Sequence, residues 1–182
     1  MHNANDLSPS PILFRQARPA DLAAAWHVVG AARDRMLALG RRQWDAAYPA
    51  PSDVEADIRG GRAYVCDGNG EVVAYGAIAI DGEPAYDALE GRWSRPGSYA
   101  VVHRLCVSPR ALRRGLARRF LHEAEAWARA AGAASMRIDT NYDNAEMQAL
   151  LDSEGYVRCG TVRYERGERL AFDKPLDVPP HR

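Results

Sequence analysis

Six arginines lie close together in the middle of the chain, at positions 104, 110, 113, 114, 118 and 119, with no acidic residue between them. The whole chain has 24 basic and 24 acidic residues, so the remainder has six more acidic than basic groups. Apolar residues at helical spacing predict a helix that begins near Gly115, directly after a strand. Unpaired N–H groups at the start of a helix attract anions, and the guanidinium groups would face the same point. This combination predicts a phosphate-binding site.

Small residues at this helix start favour the same chemistry. Gly115 has no side chain that would keep a pyrophosphate away from the backbone, and Ala117 has the next smallest one. The alternative is a solvated, arginine-rich helix end, because 23 of the 24 basic residues in this chain are arginine. A nucleic-acid site is disfavoured, since the arginines lack interleaved aromatic residues and are confined to one turn.

The elements that must position this site follow the order β-α-α-β-β-β-α-β-α-β-β. Strands are predicted at residues 12–17, 62–67, 71–80, 98–107, 135–140, 156–164 and 169–173, and helices at 19–39, 52–60, 115–131 and 143–155. The pattern from Ser52 to Glu55 predicts a capping box, and Asp143 is predicted to cap the last helix. The segment 81–97 is expected to be a long functional loop.

A strand, a helix of about 17 residues and a second strand form a βαβ unit around the arginines. The strands at 98–107 and 135–140 are therefore predicted to be parallel. The fold class that follows is a single mixed α/β sheet flanked by helices. With 182 residues the chain has room for one domain, expected at 12–174, with loose tails at 1–11 and 175–182.

Several classes of protein are disfavoured by composition. No apolar run approaches the ~18 residues of a membrane span, and the first residues do not resemble a secretory signal. Cys66, Cys106 and Cys159 are odd in number and far apart, which is untypical of disulfide frameworks and metal sites. We therefore expect reduced cysteines, no metal and a cytoplasmic protein.

Several motifs together resemble the GCN5-related N-acetyltransferase (GNAT) family. They are Leu105-Cys106-Val107-Ser108-Pro109, Arg113-Arg114-Gly115-Leu116-Ala117, the strand 136–140, and Asn144 eleven residues before Gly155-Tyr156. The resemblance covers roughly residues 12–174. The family's glycine motif, Q/R-x-x-G-x-G/A, maps onto 112–117, where Leu112 replaces the usual Gln or Arg.

This resemblance implies a GNAT fold and acetyl-CoA as cosubstrate. The backbone of Leu105, Cys106 and Val107 would pair with the pantetheine arm. The N–H groups of Arg113, Arg114, Gly115, Leu116, Ala117 and Arg118 would hold the pyrophosphate, and Asn144 would contact the cofactor arm.

Acyl transfer to an amine requires a polarised thioester carbonyl, a deprotonated amine and a proton for the leaving thiolate. A backbone N–H near Leu105 could act on the carbonyl oxygen. His103 is the candidate base, since an amine of pKa ~10.4 is only about one part in a thousand neutral at pH 7. The alternative for His103 is a structural, hydrogen-bonded histidine. Direct attack in a ternary complex is favoured over Cys106 as an acyl-carrying nucleophile.

The proton donor is harder to identify, because Leu151 stands where many family members have a tyrosine. Tyr142 is a candidate donor, or else an exposed loop tyrosine, and solvent could also protonate the thiolate. The candidate acceptor-binding residues lie in the first helices, the 81–97 loop and the strand ends: Trp44, Asp45, Tyr48, Tyr86 and Asp139. Asp45 or Asp139 could pair with an ammonium group.

The sequence thus predicts an acetyl-CoA-dependent N-acetyltransferase that acts on a primary amine of a small molecule or peptide. The alternative is a non-catalytic acyl-CoA-binding or regulatory module, because Leu112 and Leu151 occupy positions where functional residues are usual. No nucleic-acid or membrane partner is expected, and the sequence leaves open a homodimer.

Overall fold

The fold is built on one eight-stranded mixed sheet with the order β1-β2-β3-β5-β6-β8-β7-β4. The computed structural model describes residues 11–177. Its strands are β1 Leu13–Gln16, β2 Ala63–Gly68, β3 Glu71–Ile80, β4 Glu90–Gly91, β5 Tyr99–Val107, β6 Ser135–Thr140, β7 Val157–Tyr164 and β8 Gly167–Pro175. Its helices are α1 Leu22–Ala38, α2 Pro51–Arg59, α3 Leu116–Ala130 and α4 Ala145–Ser153. The predicted mixed α/β fold is confirmed.

The only parallel pair of the described sheet, β5 with β6, separates along its length. Tyr99 to Val101 pair with Ser135 to Arg137, but the pairing ends there, although β5 continues to Val107 and β6 to Thr140. Because α3 connects these strands, its N-terminus lies at the end where they diverge. The divergence opens a groove in the sheet.

A β-bulge in β5 lies at the mouth of this groove. Tyr75 of β3 pairs with Cys106 and Ala77 pairs with His103, so Gly76 alone faces both Arg104 and Leu105. Arg104 has φ 55°, a conformation uncommon for a residue with a side chain. The extra residue changes which sheet face the following side chains occupy.

Helices cover both faces of the sheet because each has one apolar side. On one face α3 buries Leu116, Phe120, Leu121, Ala124 and Ala128, residues spaced by about one helical turn. The other face packs against α1 and α2, which bury Val28, Val29 and Val54. No helix among residues 11–177 is long and apolar enough to cross a membrane.

Two helix starts differ from the sequence prediction. At α2, Pro51 takes the first helical position, and Asp53 accepts a hydrogen bond from the Ala50 N–H at 2.7 Å. The helix therefore begins before the predicted Ser52 cap. At α4, Asn144 and not Asp143 is the cap, since its Oδ1 accepts from the Met147 N–H at 3.3 Å.

The structure also differs in two peripheral segments. Part of the predicted 81–97 loop forms β4, whose Gly91 lies directly against Gly160 of β7. Near the C-terminus, Leu176 is fully buried and its N–H donates to the Ala134 carbonyl at 2.9 Å, two residues beyond the predicted domain end. The rest of the predicted tails, 1–10 and 178–182, lies outside the described residues.

Candidate functional site

The groove between β5 and β6 forms a cavity of about 550 Å³, hereafter the first cavity. Residues from both strands, from α1, from the start of α3 and from α4 line it. They include Leu105, Cys106, Val107, Arg113, Ala117 and Asn144, all predicted to contact a cofactor. Apolar side chains such as Met36, Ile138 and Leu150 form much of its wall, so it suits an elongated, largely apolar arm.

The start of α3 presents unpaired backbone donors beside this cavity, whose lining includes Arg113 and Ala117 but not Arg114, Gly115, Leu116 or Arg118. Gly115 occupies the cap position with φ 74°, and no side chain caps the helix. The first helical hydrogen bond runs from the Arg119 N–H to the Gly115 carbonyl at 2.9 Å, which leaves the N–H groups of residues 116–118 without helical acceptors. A Cβ atom at Gly115 would meet nothing within 4 Å, so the space beside this backbone is open.

The predicted cluster of six arginines is reduced to three. Arg104 pairs with Asp57, Arg118 pairs with Glu154, and Arg119 donates to the Ile12 carbonyl. The other three, Arg110, Arg113 and Arg114, form no ion pair with any residue in 11–177. The prediction failed for the first group because their partners are distant in sequence and no local pattern reveals them. Three guanidinium groups with no bonding partner among the described residues still surround the helix start.

Asn144 has a structural role in addition to its position in the first cavity. Its Oδ1 caps α4 and also accepts from Arg41 Nη1 at 3.3 Å. Its Nδ2 has no acceptor within the described part of the chain, and the residue lines the cavity. This amide is therefore free to donate to a bound arm.

A further cavity of about 700 Å³, hereafter the second cavity, lies beside His103. The end of α2, the segment after β3 and the β7–β8 turn form its walls, and its polar residues include Tyr48, Arg62, Glu83, Tyr164 and Arg169. Arg104 lines both cavities. Asp139 of the first cavity accepts from Tyr164 Oη at 3.0 Å, and Tyr164 lines the second. The two cavities therefore meet near Arg104 and Asp139.

His103 is neutral at physiological pH in this position. Burial, together with the nearby positive charges of Arg104, Arg169 and Arg62, lowers its pKa to about 4, despite the opposing effect of Asp139. Its Nε2 lies 3.6 Å from Glu83 Oε2, just beyond direct hydrogen-bond distance. The imidazole therefore retains a lone pair, and a carboxylate stands beside it.

A buried hydrogen-bonded network fixes Arg104 at the junction of the cavities. Asp57, 2% exposed, binds Arg104 Nη2 and Nε at 2.6 and 2.9 Å and accepts from Tyr75 Oη at 2.7 Å. Arg104 Nη1 donates to Tyr48 Oη at 2.9 Å. The Tyr48 hydroxyl donates to no acceptor among residues 11–177, so its hydrogen is available to a ligand.

The predicted acceptor-binding residues divide into four groups. Tyr48 lines the second cavity, whereas Trp44 and Asp139 line the first. Asp45 forms an exposed ion pair with Arg166 at the rim. Tyr86 lines neither cavity, because its ring is buried against Trp93 and Tyr99 in the core.

Two alternatives for the chemistry lose support from their surroundings. Tyr142 is 51% exposed, bonds to Thr161 and lines neither cavity, which fits a loop tyrosine and not a proton donor. Burial raises the pKa of the Cys106 thiol to about 12, so the reactive thiolate is scarce at pH 7. Leu151, which stands where many family members have a tyrosine, is fully buried in the core and offers no proton donor.

Sequence reasoning missed Glu83, Tyr164 and Arg169. Glu83 lies in the 81–97 segment that was predicted to be functional, but nothing in the sequence distinguishes it from the other acidic residues there. Tyr164 and Arg169 flank the β7–β8 turn and reach the second cavity only because β8 inserts between β6 and β7.

Comparisons with known proteins point in one direction. The family model described as "Acetyltransferase (GNAT) family" matches residues 33–156. A protein named IAA acetyltransferase from Azospirillum brasilense is 33% identical over 136 residues, which cover 71% of this chain and 80% of that protein. A GNAT family acetyltransferase structure from Streptococcus agalactiae has a TM-score of 0.82 and 31% identity, covering 91% of this chain and 96% of that one.

A more distant structure shares the fold alone. The ribosomal-protein-S18-alanine N-acetyltransferase from Escherichia coli has a TM-score of 0.63 and 19% identity, covering 92% of this chain and 94% of that one. The predicted family resemblance and its fold are confirmed.

Proposed function

Because the chain belongs to the GNAT acetyltransferase family and is a transferase enzyme, we propose that it transfers the acetyl group of acetyl-CoA to a primary amine. The amine belongs to a small molecule or a peptide and attacks the thioester directly in a ternary complex. The observation that carries this proposal is the meeting of two cavities near Arg104 and Asp139. One cavity suits the cofactor arm, and the other suits an acceptor.

The residues of the first cavity fit acetyl-CoA. The uncapped start of α3, the open space at Gly115 and the three unpaired arginines suit a pyrophosphate. The bulged backbone from Leu105 to Val107 would bind the pantetheine arm, and Asn144 Nδ2 would donate to it. When bound, acetyl-CoA supplies an acetyl thioester as the electrophile.

The second cavity would hold the amine and remove its proton. Glu83 attracts the ammonium form, and neutral His103 accepts the proton as the amine attacks. A backbone N–H at the bulge would stabilise the developing oxyanion. His103 is a weak base because its pKa is about 4, so the adjacent carboxylate is needed to favour proton removal.

We assign the final proton transfer to Tyr48. Its hydroxyl accepts from Arg104 at 2.9 Å, and its own hydrogen has no protein acceptor in the described chain. Tyr164 is less suited, because it already donates to Asp139 and burial raises its pKa strongly. The positive charge of Arg104 would stabilise the tyrosinate that remains after the thiolate is protonated.

The test is acetyl-CoA-dependent release of free thiol with a panel of primary amines, together with mass spectrometry of the amine product. We expect stoichiometric thiol release and N-acetylated product. Acetyl-CoA binding without thiol release across the panel would instead support a non-catalytic acyl-CoA-binding module.

A further inference from the structure

Arg169 lines the second cavity with most of its hydrogen-bonding capacity unused. Its side chain is only 15% exposed and lies over the Tyr164 ring, with Cζ 4.6 Å from the ring centroid. A guanidinium has five N–H groups, yet within residues 11–177 the Arg169 side chain makes only one hydrogen bond, which is also its ion pair, to Asp139 Oδ2 at 3.3 Å. None of its nitrogens is both unpaired and sealed from solvent. The N–H donors of Arg169 are therefore held in place but remain open to the cavity, so they are suited to binding an anionic group of a ligand.

Arg62 provides a second guanidinium on the same cavity. It lies 3.7 Å from Asp57, but that carboxylate already binds Arg104 and Tyr75 at shorter distances. The one hydrogen bond from its side chain to a described residue is a weak one to the Ala56 carbonyl at 3.4 Å. Arg62 therefore has no carboxylate of its own.

The remaining charges of this cavity are either paired or segregated. Arg104 is paired with Asp57, and Arg166 is paired with Asp45 at the rim. Glu165 is exposed on the β7–β8 turn. Glu83 lies beside His103, and its cavity-facing oxygen has no cationic partner there, because His103 is neutral at pH 7.

The cavity thus has one carboxylate where the amine must react and two underused guanidinium groups elsewhere on its wall. We propose that the second cavity selects amines that also carry a carboxylate, with Arg169 and Arg62 binding the carboxylate while Glu83 binds the ammonium group. This inference rests on the proposed acetyl transfer. Guanidinium and carboxylate groups form paired, charge-assisted hydrogen bonds, which a neutral amide or ester cannot reproduce.

Matched acceptors test the proposal directly. Each set contains an amino acid, its carboxamide and the corresponding decarboxylated amine, built on glycine, alanine, phenylalanine and lysine, and thiol release from acetyl-CoA gives kcat/KM. We expect the amino acid to exceed its carboxamide about 10- to 100-fold in at least one set, the range that a charge-assisted hydrogen bond supplies. The carboxamide has the more readily deprotonated α-amine, so amine reactivity alone would favour it.

Variants identify the residues responsible. Arg169→Gln should reduce the ratio of the amino-acid rate to the carboxamide rate to about threefold or less, whereas Arg169→Lys should retain part of the preference. Arg62→Gln should have a smaller effect in the same direction. The control is Arg158→Gln, because Arg158 is exposed on β7 and lines neither cavity.

The outcomes separate this inference from the proposed function. If carboxamides react as fast as amino acids in the wild-type protein, the carboxylate preference is wrong while acetyl transfer stands. If no amine of any set releases thiol, the proposed acetyl transfer itself fails and the acceptor assignment fails with it. Should Arg169→Gln not fold, the wild-type comparison and Arg62→Gln still decide.

Discussion

Arg104 of the β5 bulge and Asp57 of α2 form a two-pronged ion pair, with Nη2 and Nε at 2.6 and 2.9 Å from the carboxylate. The pair is almost fully buried and joins the strand that lines both cavities to a helix 47 residues earlier in the chain. Tyr48 completes the arrangement by accepting from Arg104. The Arg104–Asp57 salt bridge therefore fixes the β5 bulge, the wall of the second cavity and the candidate proton donor Tyr48 relative to one another.

Removing the carboxylate of this pair should destabilise the fold. Asp57→Ala leaves Arg104 buried without its partner and Tyr75 without its acceptor, so we expect the free energy of unfolding to fall by about 3–5 kcal/mol. Urea unfolding measures this loss. The control is Glu55→Ala on the same helix, because Glu55 forms an exposed pair with Arg59 and should change stability by less than about 1 kcal/mol. Equal effects of the two variants would argue against a structural role for the pair.

Tyr48→Phe should slow catalysis without weakening cofactor binding. The change removes one hydroxyl, and loss of a general acid typically costs about 100-fold or more in rate. Steady-state kcat and the acetyl-CoA dissociation constant, measured on the same preparations, separate the two effects. Tyr142→Phe is the control, since Tyr142 lines neither cavity. A Tyr48→Phe enzyme with wild-type kcat would leave solvent as the proton donor.

The folded protein should lose stability as the pH falls from about 6.5 to about 4. Burial lowers the pKa of His103 to about 4 from an ordinary value of 6.5. The unfolded chain therefore binds a proton in this range that the folded protein does not. Above about pH 6.5 none of this stability is lost. Below about pH 4 the free energy of unfolding should be lower by roughly 3 kcal/mol.

Unfolding free energies measured across this range test the assignment. His103→Gln should flatten the pH dependence between 6.5 and 4, whereas His27→Gln, at an exposed position on α1, should retain it. A wild-type slope in His103→Gln would mean that other groups cause it. The loss expected from Asp21 occurs at lower pH, since its hydrogen bonds with Arg15 lower its pKa to about 2.

The sequence predicted the fold well because its signals are local. The apolar spacing of α3, for example, depends on residues close together in the chain. The parallel pairing of β5 with β6 follows from the length of their connection. The two-residue strand β4 was missed because it depends on close contact between Gly91 and Gly160, which are 69 positions apart.

The candidate site was less predictable because long-range partners decide what each side chain does. The sequence placed Arg104 in the predicted phosphate-binding cluster, but in the structure Asp57 neutralises its charge. Tyr86 has the composition of a binding residue, but packing against Tyr99 removes it from any cavity. In contrast, the open backbone at position 115 could be predicted, since the lack of a side chain is a property of that glycine alone.

The most direct test concerns the start of α3 as the pyrophosphate site. Thermal unfolding is recorded with and without acetyl-CoA for the wild type, Gly115→Glu and Gly132→Glu. Gly132 is a matched control because it also has a positive φ, 79°, and open space, but lies past the far end of α3. Acetyl-CoA at about 100 times its Kd should stabilise the wild type and Gly132→Glu by about 2.7 kcal/mol and leave Gly115→Glu unchanged. An equal rise in the unfolding midpoint of Gly115→Glu would contradict the assignment of cofactor binding to this helix start.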